Sequence, residues 1–331
     1  MVAGIRAERA ALPFCELHVH IEGTLEPATI FALAKAKGLP LPYDSEEELR
    51  SAYRFGDLQA FLDVYYRNMS VLRTEDDFFE LAAAYLRRAH AAGIAHAEVF
   101  VDPQAHTRRG VTEGTVLAGL SRAIAVVAPE LGMTASIIVC VLRDEPPAEA
   151  ERTLDRVLES GHPVIGLGLD SAERGNPPAL FRSVFDRARD AGLRLVAHAG
   201  EEGPADYVRE ALDVLGVQRI DHGNHALDDA GLVDRLVREQ IPLTMCPLSN
   251  VRLKGIPGID AFPLRRALDA GLLVTINSDD PAYFGGYLDD NLDALIGCFA
   301  LGRDDLRLLA ANSVRASFLP DDAKQALLAR I

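Results

Sequence analysis

The chain has 331 residues, 49% of them hydrophobic, with 49 acidic against 34 basic side chains, a formal net charge of −15 and a pI near 5.0. That length suits one α/β barrel or two smaller domains. The negative balance excludes a phosphate backbone or an anionic membrane as the main partner and leaves a soluble protein with a small substrate.

Residues 1–12 carry Arg6, Glu8 and Arg9 and lack the apolar core of a signal peptide. The longest apolar runs, such as 136–142, are too short to span a bilayer. Cys15, Cys140, Cys246 and Cys298 are widely spaced with no Cys-x-x-Cys pair, which points to free thiols in a reducing cytoplasm.

The first expected strand, 14–23, contains His18-Val19-His20, two imidazoles on one face of an extended segment. Residues 24–70 then break the pattern. They predict helices over 25–37, 44–53 and 57–66, and they contain Tyr43, Tyr53, Phe55, Phe61, Tyr65 and Tyr66. This stretch reads either as a helical insertion with its own small core or as a lid over a site. The acidic run 44–48 reads as a solvated helix start.

From residue 74 the chain alternates. Helices over 74–92, 111–128, 148–160, 178–191, 206–215, 228–239 and 263–270 are each followed by an apolar strand, commonly across a glycine. The strands are expected at 96–103, 134–142, 164–169, 193–199, 219–222, 241–246 and 272–277. With the opening strand, eight βα units predict a closed parallel (β/α)8 TIM barrel filling 1–331 as a single domain, with 24–70 inserted and 287–331 helical on the outside. No Gly-x-Gly-x-x-Gly follows the first strand and no P-loop occurs, which argues against an open dinucleotide-binding sheet.

Polar residues collect where the strands stop: His18 and His20 after the first, His198 to Glu202 after the fifth, Asp221-His222-Gly223 after the sixth, and Asn277 to Pro281 after the eighth. Packing gives no reason for that. His18, His20, His198 and Asp279 make a nitrogen-and-oxygen ligand set that suits one Zn2+ with a place left for water. Such a metal makes hydroxide available near neutral pH. Glu201, three residues past His198, is the natural proton carrier. His222 could orient or deprotonate the water, and Asp280 could hold the substrate's far edge.

The motifs His18-Val19-His20-Ile21-Glu22-Gly23-Thr24, His198-Ala199-Gly200-Glu201, Asp221-His222-Gly223 and Asn277-Ser278-Asp279-Asp280-Pro281 resemble the adenosine and adenine deaminases of the amidohydrolase superfamily. The resemblance implies one zinc on His18, His20, His198 and Asp279. It also implies that Glu201 protonates the ring nitrogen beside the amine-bearing carbon, His222 positions the hydroxide, and Asp280 bonds the imidazole part of a purine. Relatives with two metals carry a lysine at the end of the fourth strand; 164–170 has none.

Glu22 stands where the adenosine branch has aspartate, and Ser171 where it has glycine, so the chain looks like the adenine branch, as do Asp102 to Thr107 and Cys246 to Asn250. Ala172 departs from that branch, which more often has a second serine. Glu22, with Glu173, is expected to answer the ring N–H that adenine has and a nucleoside lacks. The implied activity is hydrolysis of adenine to hypoxanthine and ammonia in purine salvage. Alternatives are adenosine, an N6-substituted adenine or 6-aminodeoxyfutalosine as substrate, or a non-catalytic zinc-binding barrel. The Pro-Cys-x-x-Cys of the nucleic-acid-editing deaminases is missing. His90, His96, His106, His162 and His225 read as surface or structural, with His106 and His225 nearest to strand ends. Iron or manganese would fit the same ligands as zinc, and a homo-oligomer is compatible with the chain but not encoded in any motif.

Overall fold

The expected apolar runs pair edge to edge in chain order in a computed structural model that describes residues 2–331. The strands are β1 Phe14–His20, β2 Ile94–Val101, β3 Thr134–Leu142, β4 Gly166–Asp170, β5 Arg194–Ala199, β6 Arg219–His222, β7 Leu243–Met245 and β8 Val274–Ile276. Every neighbouring pair is parallel and the order runs from β1 to β8 without a crossover. Parallel strands need returning helices, and the helix–glycine–strand punctuation supplies them. Gly161, for example, ends the helix Pro147–Ser160 at φ 70°, a conformation that costs glycine little. The result is a TIM barrel.

The last seam is made by backbone just past β8. His20 N–H donates to the Asp279 carbonyl over 2.9 Å, and Asp279 N–H to the His18 carbonyl over 3.1 Å. Closing the barrel thus sets three expected ligand residues side by side. β1 also bulges, with Leu17 and His18, between Glu16 and Val19, opposing the single residue Glu98 of β2, a local slip of the kind that re-aims side chains beside sites.

Phe100, Ile138, Cys140 and Val196 fill the middle of the barrel. At its lower end Arg219 Nη1 donates to Glu98 Oε2 at 2.5 Å and Nη2 to the Leu17 carbonyl at 3.1 Å. The Phe318 ring, brought in by the C-terminal segment, lies 4.6 Å from that guanidinium.

Some local elements differ from the sequence expectation. Val2–Ala11 is helical, and the third and fourth helices run Glu46–Ser51 and Leu58–Asn68, each capped by a side chain at its start, Ser45 and Asp57. Short helices follow three strands: Pro103–Thr107, Pro247–Arg252 and Pro281–Phe284. Each has proline in its first turn, and the residue before that proline stays non-helical. The aromatics of 24–70 do not form a core of their own. Tyr53 stacks on Tyr283 at 4.7 Å between centroids, and Phe61 meets Phe284 at 4.7 Å, over the barrel mouth. No helix among the described residues is long and apolar enough to cross a membrane.

Candidate active site

Where β1, β5 and β8 end, one ligand atom each from His18, His20, His198 and Asp279 lies within 4.8 Å of every other. All four side chains are buried. His20 Nε2 and His198 Nε2 are 3.2 Å apart, and Asp279 Oδ1 is 3.2 Å from His18 Nε2 and 3.5 Å from His20 Nε2.

The hydrogen-bond network assigns the tautomers of two of these rings. Thr244 donates its hydroxyl proton to Asp221 Oδ1 at 2.8 Å and therefore accepts from His18 Nδ1 at 2.9 Å. His198 Nδ1 donates to the Leu169 carbonyl at 3.1 Å. His20 Nδ1 faces Asp170 Oδ2 at 3.6 Å. His18 and His198 thus turn their N–H outward and aim a bare Nε2 inward, the outer-contact pattern that orients metal-bound histidines, and His20 aims its Nε2 at the same point although its Nδ1 makes no hydrogen bond among the described residues. Three lone pairs and a carboxylate converging on one point repel one another unless a cation lies between them. Burial keeps His20 and His198 below the ordinary imidazole range, His198 further lowered by the His18 and His222 rings. Burial would raise Asp279, but the His18 ring overrides it and holds that carboxylate well down. Neutral imidazoles with an ionised carboxylate are the donor set a divalent metal takes. Cys246 also approaches His18, His222 and Asp279, but burial pushes its thiol up and Sγ donates to the Thr244 carbonyl.

Glu201 stands beside this cluster on the loop after β5. Burial raises its carboxyl well above the usual range, helped by Asp279 and Glu173. The loop is held by Glu173. Its Oε1 accepts from Gly200 N–H at 2.7 Å, and its Oε2 from Glu201, Glu202 and Gly203 N–H at 3.0, 2.8 and 2.8 Å. Glu173 was expected to help read the substrate; both of its oxygens instead hold the Glu201 loop. Arg143, also buried, ties the same place by donating to the His198 carbonyl at 2.7 Å.

His222 Nε2 lies 3.7 Å from both Glu201 Oε1 and Asp279 Oδ2, and burial lowers this imidazole to about 3. His222, Asp279 and Ser171 all sit in the left-handed region, at φ 62°, 64° and 70°. Such strain costs about 1–3 kcal/mol per residue and collects at working sites. Asp280 crowds Gly23, where a Cβ would fall 2.1 Å from Asp280 Oδ1, so only glycine fits there.

A cavity of about 390 Å³, counted to its open mouth, lies over these groups. Its walls include His20, His198, Glu201, His222, Asp279 and Asp280, with Leu58, Phe61, Leu62, Tyr65 and Tyr66 above. Glu22 is not on this wall. It is fully buried, and its Oε1 accepts from His106 Nε2 at 2.8 Å and from Asp102 N–H at 3.2 Å. Arg109 donates to His106 Nδ1 at 2.7 Å, which assigns the His106 proton to Nε2. Burial followed by Arg109 lowers His106 to about 3, and burial raises Glu22 to about 7.

The wall carries Asp102 and Asp170 instead; sequence reading assigned neither a role, and Asp102 entered only within the segment 102–107 that resembles the adenine branch. Asp102-Pro103 repeats the Asp280-Pro281 pattern at another strand end, and that repeat was the available signal. Of the two histidines nearest strand ends, His106 belongs to this buried chain of contacts, while His225 is exposed and pairs with Asp228 at 2.8 Å.

A family model described as adenosine deaminase matches residues 13–331. The adenine deaminase of Streptomyces coelicolor is 58% identical over 311 residues, covering 94% of this chain and 92% of that protein. The adenine deaminase of Cupriavidus necator is 53% identical, covering 96% and 91%. Among solved structures, adenine deaminase from Arthrobacter aurescens is 52% identical with a TM-score of 0.95, covering 96% and 98%. An amidohydrolase from Burkhoderia ambifaria with bound Zn is 29% identical with a TM-score of 0.90, covering 98% and 90%. The chain belongs to the adenosine deaminase family.

Proposed function

We propose that this protein hydrolyses adenine to hypoxanthine and ammonia with one zinc ion, held by His18, His20, His198 and Asp279. The observation that carries this reading is the convergence of three Nε2 atoms and one carboxylate oxygen beside the buried Glu201. Zinc bound there would lower the pKa of water to about 7 and so supply the nucleophile at neutral pH.

The chain's own residues do the rest. Glu201 gives its proton to ring N1 as oxygen adds at C6, which keeps negative charge from building on the pyrimidine ring. His222, neutral and 3.7 Å from Glu201, directs the water or takes its proton. The water proton taken up by His222 passes on to N6, the C6–N6 bond breaks and ammonia leaves, and the C6 hydroxyl proton returns to the Glu201 carboxylate as the carbonyl forms. Asp280 holds the imidazole edge of the purine, and the Leu58–Asn68 helix covers the mouth as a lid on a single barrel domain spanning 1–331. Adenine is preferred to adenosine because Glu22 and Ser171 replace the residues of the nucleoside branch, and the relatives above 50% identity carry adenine deaminase names. The absence of paired cysteines suits a cytoplasmic enzyme.

Purified protein is to be given adenine, adenosine and N6-methyladenine, with ultraviolet loss, ammonia release and metal content read on one sample. Fast turnover of adenine with one zinc per chain is expected. It should vanish with a chelator and return with zinc. Turnover confined to another of these purines, or persisting after the metal is removed, overturns the reading.

A further inference from the structure

With C6 at the metal cluster, N1 at Glu201 and N7 at Asp280, the substrate occupies the ends of β1, β5, β6 and β8. Its remaining polar edge, N3 and N9, faces across the cavity toward the ends of β2 and β4. Two carboxyl groups wait there. Asp102 and Asp170 are each 2% exposed, both line the cavity, and their oxygens lie within 4.8 Å of each other and of a His20 ring nitrogen. Asp102 Oδ1 and Asp170 Oδ1 find no hydrogen-bond partner among the described residues. A buried carboxylate oxygen without a donor costs free energy that a ligand N–H can remove.

Resting on the deaminase reading above, we propose that Asp102 and Asp170 are the specificity-determining pair that accepts the N–H of the free purine's N3–N9 edge. A purine substituted at N9 has no proton there, would leave Asp102 Oδ1 and Asp170 Oδ1 without a donor while the carboxyls keep only the hydrogen bond they make to each other, and would press its substituent against them. Rejection by an unpaired buried group is far stronger than rejection by size alone. Glu22 contributes from behind the wall as a positioning residue, since its Oε1 accepts the Asp102 backbone N–H. A metal ion between His20, Asp102 and Asp170 is the rival occupant. It is disfavoured because an imidazole that serves the first site through Nε2 must lose its Nδ1 proton before it can ligate a second metal.

The test compares adenine with 9-methyladenine in the zinc-loaded wild type and in Asp102→Asn and Asp170→Asn. The wild type should strongly prefer adenine. In each variant kcat/KM for adenine should fall about 10- to 100-fold, mostly through KM, as expected for one lost hydrogen bond to a charged group. The 9-methyladenine rate should hold or rise, so the preference shrinks. An equal loss on both purines, an unmoved preference, or a second metal equivalent lost from the variants overturns the proposal. Should a variant misfold, the wild type still decides: 9-methyladenine turned over within about tenfold of adenine removes the need for the pair. A wild type active on adenine with an unmoved preference refutes only this proposal, whereas one idle on adenine refutes the deaminase reading with it.

Discussion

The two ends of the barrel both take charged side chains out of water and treat them in opposite ways. At the lower end burial alone would raise Glu98, but Arg219 overrides it and brings the carboxyl down to about 2. One Glu98 oxygen takes Arg219 and the other the Phe318 N–H. At the upper end burial wins. It raises Glu201, Asp170 and Asp280, and lifts Asp102 to about 6. Among the described residues no lysine or arginine forms an ion pair with these four carboxyls, and the buried Arg143 donates to the backbone carbonyls of His198 and Asn176 instead. The paired groups at one end are spent within the fold, whereas the unpaired carboxyls at the other are, on the proposed reading, left for a metal and a substrate.

Three substitutions test that contrast, the largest effect first. Glu201→Gln removes the proton carrier and leaves the ligands. kcat should drop about 10²- to 10⁴-fold with zinc retained, measured as steady-state rate and metal content. In the parent enzyme, activity should fall on the alkaline side as pH rises through the raised Glu201 value, and that limb should be missing from the variant's residual rate. An active Glu201→Gln enzyme would remove the contrast at its upper end.

Glu98→Gln breaks the lower pair while touching nothing in the cavity. Urea unfolding should show a loss on the order of 3 kcal/mol, with kcat/KM of the folded fraction nearly unchanged. Because Glu98 sits at about 2 when folded against an ordinary 4.5, its contribution is complete above pH 4.5 and fades as pH falls toward 2. The variant's stability should therefore depend less on pH over that interval.

Asp57→Ala gives the smallest effect. Asp57 Oδ1 accepts the Ala60 N–H at 2.9 Å and starts the helix that covers the mouth. Losing the cap costs that helix about 0.5–2 kcal/mol. KM for adenine should rise several-fold at nearly constant kcat, measured by initial rates. An unchanged KM would show that the helix does not act as a lid.

Much of this was legible in one dimension. Apolar strands at regular spacing predict a parallel barrel, because short helix-glycine connections allow little else. Residues just past strand ends then share one rim, so His18, His20, His198 and Asp279 could be named together before any coordinate. Contacts between side chains from different loops were not legible. Glu22 lies two residues past His20 and reads as a pocket residue, yet the turn Glu22–Thr24 carries it behind Asp102. Glu173 is acidic and near the mouth, and nothing local says that it meets the amides of residues 200–203.

By itself, then, the sequence determined the eightfold βα alternation, the family motifs and the clustering of His18, His20, His198 and Asp279 at one rim, because each depends on neighbours within a few residues or on strand order. Only the tertiary structure decided which carboxyls face the cavity and which are spent within the protein. Asp102 meets Asp170 across 68 residues of chain and Arg219 meets Glu98 across 121. Pairings at that separation depend on how strand register brings loops and interior positions together, and on which charges burial leaves unmatched.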